Sequence, residues 1–183
     1  MKPVTRDEIV DYQTWTDRRE AALPEVFAAK RPRRVGLGDC LTFLFENRLT
    51  VRYQIQEMMR VERIVREADI RHEIETYNAL LGPEGGLGCT LLIEIEGEEQ
   101  RAVRLRELMG LPEALYLVLA DGRKVRPAFD AAQVGEERLS SVQYLTFACG
   151  GVAPVAIGAD HPAYSVEAAL TDDQRAALAT DVG

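Results

Sequence analysis

The sequence predicts a single α+β domain spanning residues 1–183, built as a mostly antiparallel sheet of about five to seven strands with N-terminal helices, a central helix pair and a short C-terminal helix. Three observations lead there. Capping boxes of the form S/T-x-x-E/Q stand near both ends, at Thr5-Arg6-Asp7-Glu8 and Thr171-Asp172-Asp173-Gln174. Alternating apolar runs are joined by the turn pairs Gly38-Asp39 and Asp121-Gly122. Helical periodicity is grouped mainly in the first half, and no repeat, linker or low-complexity block divides the chain.

After Thr5, the residues Ile9, Tyr12 and Trp15 or Thr16 recur at helical spacing. Pro24 is expected to interrupt or restart that helix, because an interior proline removes a backbone hydrogen bond, and the Arg31-Pro32 step ends the region. Arg33 to Phe45 reads as a hairpin, with Leu41, Phe43 and Phe45 on one face and Leu44 making the other partly apolar. A helix follows from about Thr50 to Glu67. The glycine-rich run Gly82-Pro83-Glu84-Gly85-Gly86 follows a helix instead of opening one, so it reads as a connector and not as a phosphate loop. Cys89 to Ile95 is a strand, and Glu98 to Met109 a helix stopped by Gly110. Leu115–Leu119 and Lys124–Ala128 flank Asp121-Gly122 as a second hairpin. Strands at about Val142–Cys149, Val155–Ala159 and from Tyr164 precede the last helix, which runs through Leu178.

With 183 residues and 46% hydrophobic content, the chain can bury one core. Its net charge of −8 argues against nucleic acid or anionic membrane as a partner, since both begin with a basic footprint. The local exception is Lys30-Arg31-Pro32-Arg33-Arg34, which suits a phosphate, a solvated face or a helix C-terminus. The three cysteines, Cys40, Cys89 and Cys149, form no C-x-x-C pair, so neither a zinc ribbon nor a self-contained iron–sulfur site is expected, and they read as buried thiols. Met1 is followed by polar residues, and no run approaches the roughly 18 apolar residues of a membrane span. A cytoplasmic protein is the expectation.

Stepping about 100° per residue from Val51 places Ile55, Met58, Met59 and Val65 on one helical stripe, with Glu62 near its middle and Gln54 beside it. A carboxylate in the core needs a partner, and Arg66 stands one turn on. The pair is read as internal bracing or as part of a site. Tyr53, Glu57, Arg60 and Ile64 line the opposite face with Gln56 beside them, which makes either a solvated charged face or a polar docking surface. Asp160-His161-Pro162-Ala163-Tyr164 is either a turn or a tuned acid–base pair presented by Pro162. His72 lies in a charged segment and reads as exposed, and the serines at 140, 141 and 165 have no nucleophile-elbow context. A metal site would need Glu57 or Glu62 to meet His161, which nothing in the spacing requires, so no cofactor is predicted.

The run from Leu44 to Met58, LFENRLTVRYQIQEM, followed by Arg60-Val61-Glu62-Arg63-Ile64, resembles the signature of an uncharacterised bacterial family, domain of unknown function thirty-five oh one. The likeness continues through Tyr77-Asn78, Leu91–Glu94 and Ile157-Gly158 to Tyr164. Carried residue by residue, it covers Glu46, Asn47, Arg48, Gln54, Gln56, Glu57, Glu62, Asp160, His161 and Tyr164, while His72 departs from it. The family brings no established activity. The resemblance implies neighbouring genes for a rubrerythrin-like di-iron protein and an iron–sulfur oxidoreductase, and with them a role near electron transfer or peroxide handling.

Three readings follow. In the first the chain is a non-enzymatic accessory or interaction protein of a bacterial redox system, partnered by a rubrerythrin-like protein or an iron–sulfur oxidoreductase and docking through the Tyr53–Arg60 helix face. In the second it is a small-molecule-binding or metal-dependent enzyme, with Glu57 or Glu62 as acid–base or ligand, Arg48 or Arg60 on an anion and His161 completing the site. In the third it is a self-associating structural protein, a homo-oligomer whose polar signature, including Glu46, Arg48, Gln54 and Glu62, is internal bracing.

Overall fold

The structure, a computed structural model, describes residues 1–135 and 137–183. The capping box at Thr5 forms, but it closes only a 3-10 turn, Arg6–Glu8. The long helix α1 (Tyr12–Lys30) is opened by Asp11, whose carboxylate accepts the N–H groups of Gln13 and Thr14 at 3.0 Å each. Helix α1 also runs through Pro24 without interruption. Pro24 and Glu20 are both exposed, so water can take the Glu20 carbonyl that the proline leaves without a donor.

The first hairpin forms as expected from β1 (Arg34–Leu37) and β2 (Leu41–Glu46), with Gly38 at φ +64° in the turn. Helices α2 (Arg48–Glu62) and α3 (Glu67–Asn78) follow, then β3 (Leu87–Ile93), α4 (Glu98–Glu107) and a one-turn helix, α5 (Leu111–Ala114). The second hairpin, β4 (Leu115–Leu119) with the short β5 (Lys124–Val125), turns at Gly122. The chain ends with β6 (Val142–Phe147), β7 (Pro154–His161), β8 (Tyr164–Ala169) and α6 (Asp172–Val182), the last opened by the Thr171 capping box.

The α+β class holds, and among the described residues eight strands divide into two antiparallel four-stranded sheets, ordered β1-β2-β3-β6 and β5-β4-β7-β8. Their inner faces share one core. Phe43, Phe45, Leu91, Leu145 and Phe147 of the first sheet belong to the same buried cluster as Leu115, Leu117 and Ile157 of the second. A second, smaller core of Val4, Ile9, Val51, Ile55, Met59, Ile70 and Ile74 joins the N-terminal segment to α2 and α3. The connector after α3 crosses the outside of β3 at Gly88, where a Cβ would stand 1.7 Å from the Leu80 carbonyl oxygen. Among the described residues no helix is long and apolar enough to cross a membrane.

The helix expected from Thr50 to Glu67 stops at Glu62. Arg63 takes a left-handed conformation (φ 53°), and the Ile64 N–H closes back on the Met59 carbonyl at 3.0 Å. The chain then reverses, so that α3 lays Ile70 and Ile74 on Ile55 and Met59. Glu62 is therefore exposed, not buried, and Val65 is 70% exposed. Helical periodicity cannot continue across that break, and among the described residues no ion pair joins Glu62 to Arg66.

The two ends of the fold meet in a buried ion pair. Arg33, in the 3-10 turn after α1, donates from Nε and Nη2 to the two Asp181 oxygens of α6 at 2.7 and 2.8 Å, and from Nη1 to the Ala29 carbonyl at 2.8 Å. Asp181→Ala strands the guanidinium and is expected to lower stability by about 3–5 kcal/mol, whereas the double variant Arg33→Met/Asp181→Leu loses far less. Urea denaturation followed by circular dichroism separates the two outcomes.

Candidate functional site

The polar residues of α2 face inward on two sides. Gln56 is buried, its Oε1 accepting the Val10 N–H at 2.8 Å and its Nε2 donating to the Val10 carbonyl at 3.0 Å. Asn78 of α3 grips Val4 the same way, at 2.8 and 2.9 Å. Two amide side chains thus imitate a neighbouring strand and hold the N-terminal segment against the helices. Arg48 adds an ion pair to Glu8 and a hydrogen bond to the Pro3 carbonyl at 3.3 Å. Gln54 lies against Tyr77 of α3.

Glu57 is the hub between α1 and α2. It accepts from Trp15 Nε1 at 2.8 Å, from Arg19 Nε at 2.9 and 3.0 Å, and from Arg60 at 3.2 and 3.1 Å. Burial works to raise its pKa, but these donors outweigh it and hold the carboxyl at about 2. Tyr53 packs edge-on against Trp15, with Lys30 Nζ 4.7 Å from its ring centroid. The Tyr53–Glu57–Arg60 row, read from the sequence as solvated or as a docking face, is half-buried, with Tyr53 and Glu57 engaged by α1.

The signature's other end is equally engaged. Asp160 forms a two-pronged pair with Arg126, at 3.0 and 2.6 Å, on the outside of the second sheet. His161 closes the β7–β8 hairpin: the Ala163 N–H donates to Nδ1 at 3.1 Å, so Nε2 carries the proton it gives to the Met109 carbonyl at 2.9 Å. The Tyr164 hydroxyl reaches the opposite sheet, where it donates to the Leu37 carbonyl or Asp39 Oδ1, both at 2.9 Å, and accepts the Asp39 N–H at 3.0 Å. Gly38 is required there, since a Cβ would lie 2.1 Å from that hydroxyl oxygen.

The geometry does not bring Glu57, Glu62 and His161 together. Glu57 is held by α1, Glu62 borders an open depression beside His72, and His161 sits against Met109. Among the described residues no three His, Cys, Asp or Glu side chains are placed to hold a metal ion. The thiols are buried; burial pushes Cys149 up to about 11, and Cys89 well above its ordinary value.

Glu46 is a signature residue that the bracing leaves over while still half-buried. It stands at the end of β2 in the wall of a cavity of ≈ 420 Å³, together with Phe27, Leu44 and the basic residues from Lys30 to Arg34. Thr50 Oγ1 donates to one carboxylate oxygen at 2.5 Å, and no other hydrogen bond to the Glu46 side chain exists among the described residues. Burial raises its pKa, opposed by that hydrogen bond and by the charge of Lys30. Sequence reasoning named Glu46 and the basic run separately. It missed Phe27, whose 59% exposure only the fold reveals.

Because the Glu57 pKa is depressed from 4.5, its contribution is complete above the unfolded-state value and disappears as pH falls from about 4.5 towards 2. Glu57→Gln is expected to cost about 2 kcal/mol at pH near 7, allowing for screening at the half-exposed arginines, and almost nothing near pH 2. Urea unfolding across that range measures both values.

The likenesses to other proteins agree with this fold. A family model described as "Protein of unknown function (DUF3501)" matches residues 3–182. A crystal structure from Burkholderia pseudomallei, described as a novel protein of unknown function, superposes with a TM-score of 0.88 at 32% identity, covering 100% of each chain. No curated protein matches the chain. With nearly every residue inside the family model and the fold shared end to end, the chain belongs to the DUF3501 family.

Proposed function

We propose that the protein is a non-enzymatic accessory or interaction protein of a bacterial redox system, with a rubrerythrin-like protein or an iron–sulfur oxidoreductase as its partner. The observation that carries this reading is the engagement of the polar signature. Arg48, Gln56 and Glu57 hold the N-terminal segment and α1, Arg60 binds Glu57 within α2, and Asp160, His161 and Tyr164 hold the second sheet and the first hairpin. Residues bound in this way shape a surface; they are not free to act on a substrate. The buried thiols fit a protein that supports redox chemistry carried out by another.

The α2 face first suggested for docking is engaged by α1 at Tyr53 and Glu57, so the contact surface is assigned elsewhere. The outer face of the first sheet supplies one. Leu44, Thr90 and Tyr144 stand in one cross-strand row, and Tyr144 is 47% exposed. Beside Tyr144 a depression of ≈ 520 Å³, lined in part by Tyr77, Leu80 and Phe129, offers the apolar anchor point that interfaces favour.

Affinity capture of the tagged protein from its native host is expected to recover one of the two partner types, and Tyr144→Asp to lose it while folding normally. Recovery of neither, or undiminished recovery with Tyr144→Asp, refutes the partner or the surface respectively.

A further inference from the structure

The cavity beside Glu46 opens where the end of α1 passes over the outer face of β2, and its ≈ 420 Å³ lies within the roughly 300–1,000 Å³ of small-molecule sites. Its lining has features that folding does not explain. Phe27 holds a large apolar ring 59% exposed at the rim, facing a region that Leu44 also lines. Arg31 forms no ion pair among the described residues, and Arg34 reaches Glu94 only at 3.5 Å across exposed surface. Lys30 meets the Tyr53 ring, and among the described residues it forms no ion pair. A helix C-terminus accounts for one or two cations in the last turn; it does not account for an exposed aromatic ring beside them.

Charge bookkeeping around the mouth is uneven. Asp181 neutralises Arg33 and Glu94 stands 3.5 Å from Arg34, so Lys30 and Arg31 remain against the carboxyl of Glu46. An apolar wall beside a net positive rim is complementary to one kind of molecule.

We propose that this cavity binds a small amphipathic anion, with an aromatic or acyl body against Phe27 and Leu44 and a carboxylate or phosphate head held by Arg31 and Lys30. The proposal goes beyond the interaction role and does not depend on it, since the ligand can bind whether or not a protein partner is recovered. Arg31 supplies the planar fork that matches either head group, and Lys30 a point charge beside it. Aliphatic or aromatic surface alone would bind without preference for charge, and the cations alone would bind any anion. The two together demand both properties in one molecule.

Isothermal titration calorimetry of the purified protein with 1-naphthoate and 1-naphthyl phosphate tests this, with 1-naphthol as the body without the charge and inorganic phosphate as the charge without the body. At least one naphthyl anion is expected to bind about tenfold or more tightly than either control. The tighter of the two identifies the head group as carboxylate or phosphate. Arg31→Glu should weaken that binding about tenfold or more and Phe27→Ala several-fold, while Arg101→Glu, a charge reversal outside the cavity, leaves it unchanged. Both cavity variants alter exposed side chains, and circular dichroism confirms that they fold. The proposal is overturned if neither anion binds, if a control binds as tightly, or if Arg31→Glu and Phe27→Ala behave like Arg101→Glu.

Discussion

A guanidinium taken out of water must find a carboxylate with the right geometry, and Arg33 finds one 148 residues away at Asp181. That single requirement seats the last helix against the end of the first. It also fixes where the chain enters β1, and so where the first sheet lies beneath α1. The neighbours of Arg33 in the basic run are thereby turned outward around Glu46, because Arg33 has already taken the interior position. The pair's energetic return is modest, but its removal on one side alone leaves a charge in the core. Its consequence is positional.

Polar side chains do the same work elsewhere with less charge. Gln56 and Asn78 each offer a donor and an acceptor to one backbone residue of the N-terminal segment, replacing the strand that segment lacks. Glu57 gathers three donors from α1 and α2 and so ties two helices whose apolar contact is small. Tyr164 spans from the second sheet to the turn of the first, where Gly38 makes room for its hydroxyl. These contacts explain why a polar signature can identify a family without marking a reaction centre: the residues are needed wherever elements distant in sequence have to meet at one angle.

Glu46 stands apart from that scheme. Its carboxyl is desolvated, it has a hydroxyl for a partner instead of a cation, and the cations nearby are arranged around an opening. Asn47 next to it caps α2, accepting the Thr50 N–H at 3.0 Å, so the strand-to-helix junction that presents Glu46 is itself rigid. That junction fixes the Glu46 carboxyl in the cavity wall.

Local chemistry was enough for the elements whose signals close within a few residues. The Asp121-Gly122 and Gly38-Asp39 turns and the capping box at Thr171 each depend on a backbone angle or a three-residue hydrogen bond, which no distant neighbour overrides, whereas the helix expected to run to Gly110 ends at Glu107 and Gly110 instead opens α5. The α+β class followed from them. What the tertiary structure decided depends on contacts between segments. Pro24 stays inside α1 because its neighbours are exposed, and Glu62 leaves the core because the chain turns at Arg63 to pack α3. Gln56 is buried, and Glu57 and Tyr53 half-buried, because α1 and the N-terminal segment lie against them. Periodicity tells which residues share a face of a helix, but whether that face meets water or another helix is set by the rest of the fold. For the same reason the sequence could name Glu46 and the basic run, while only the packing of α1 over β2 brings them to one cavity.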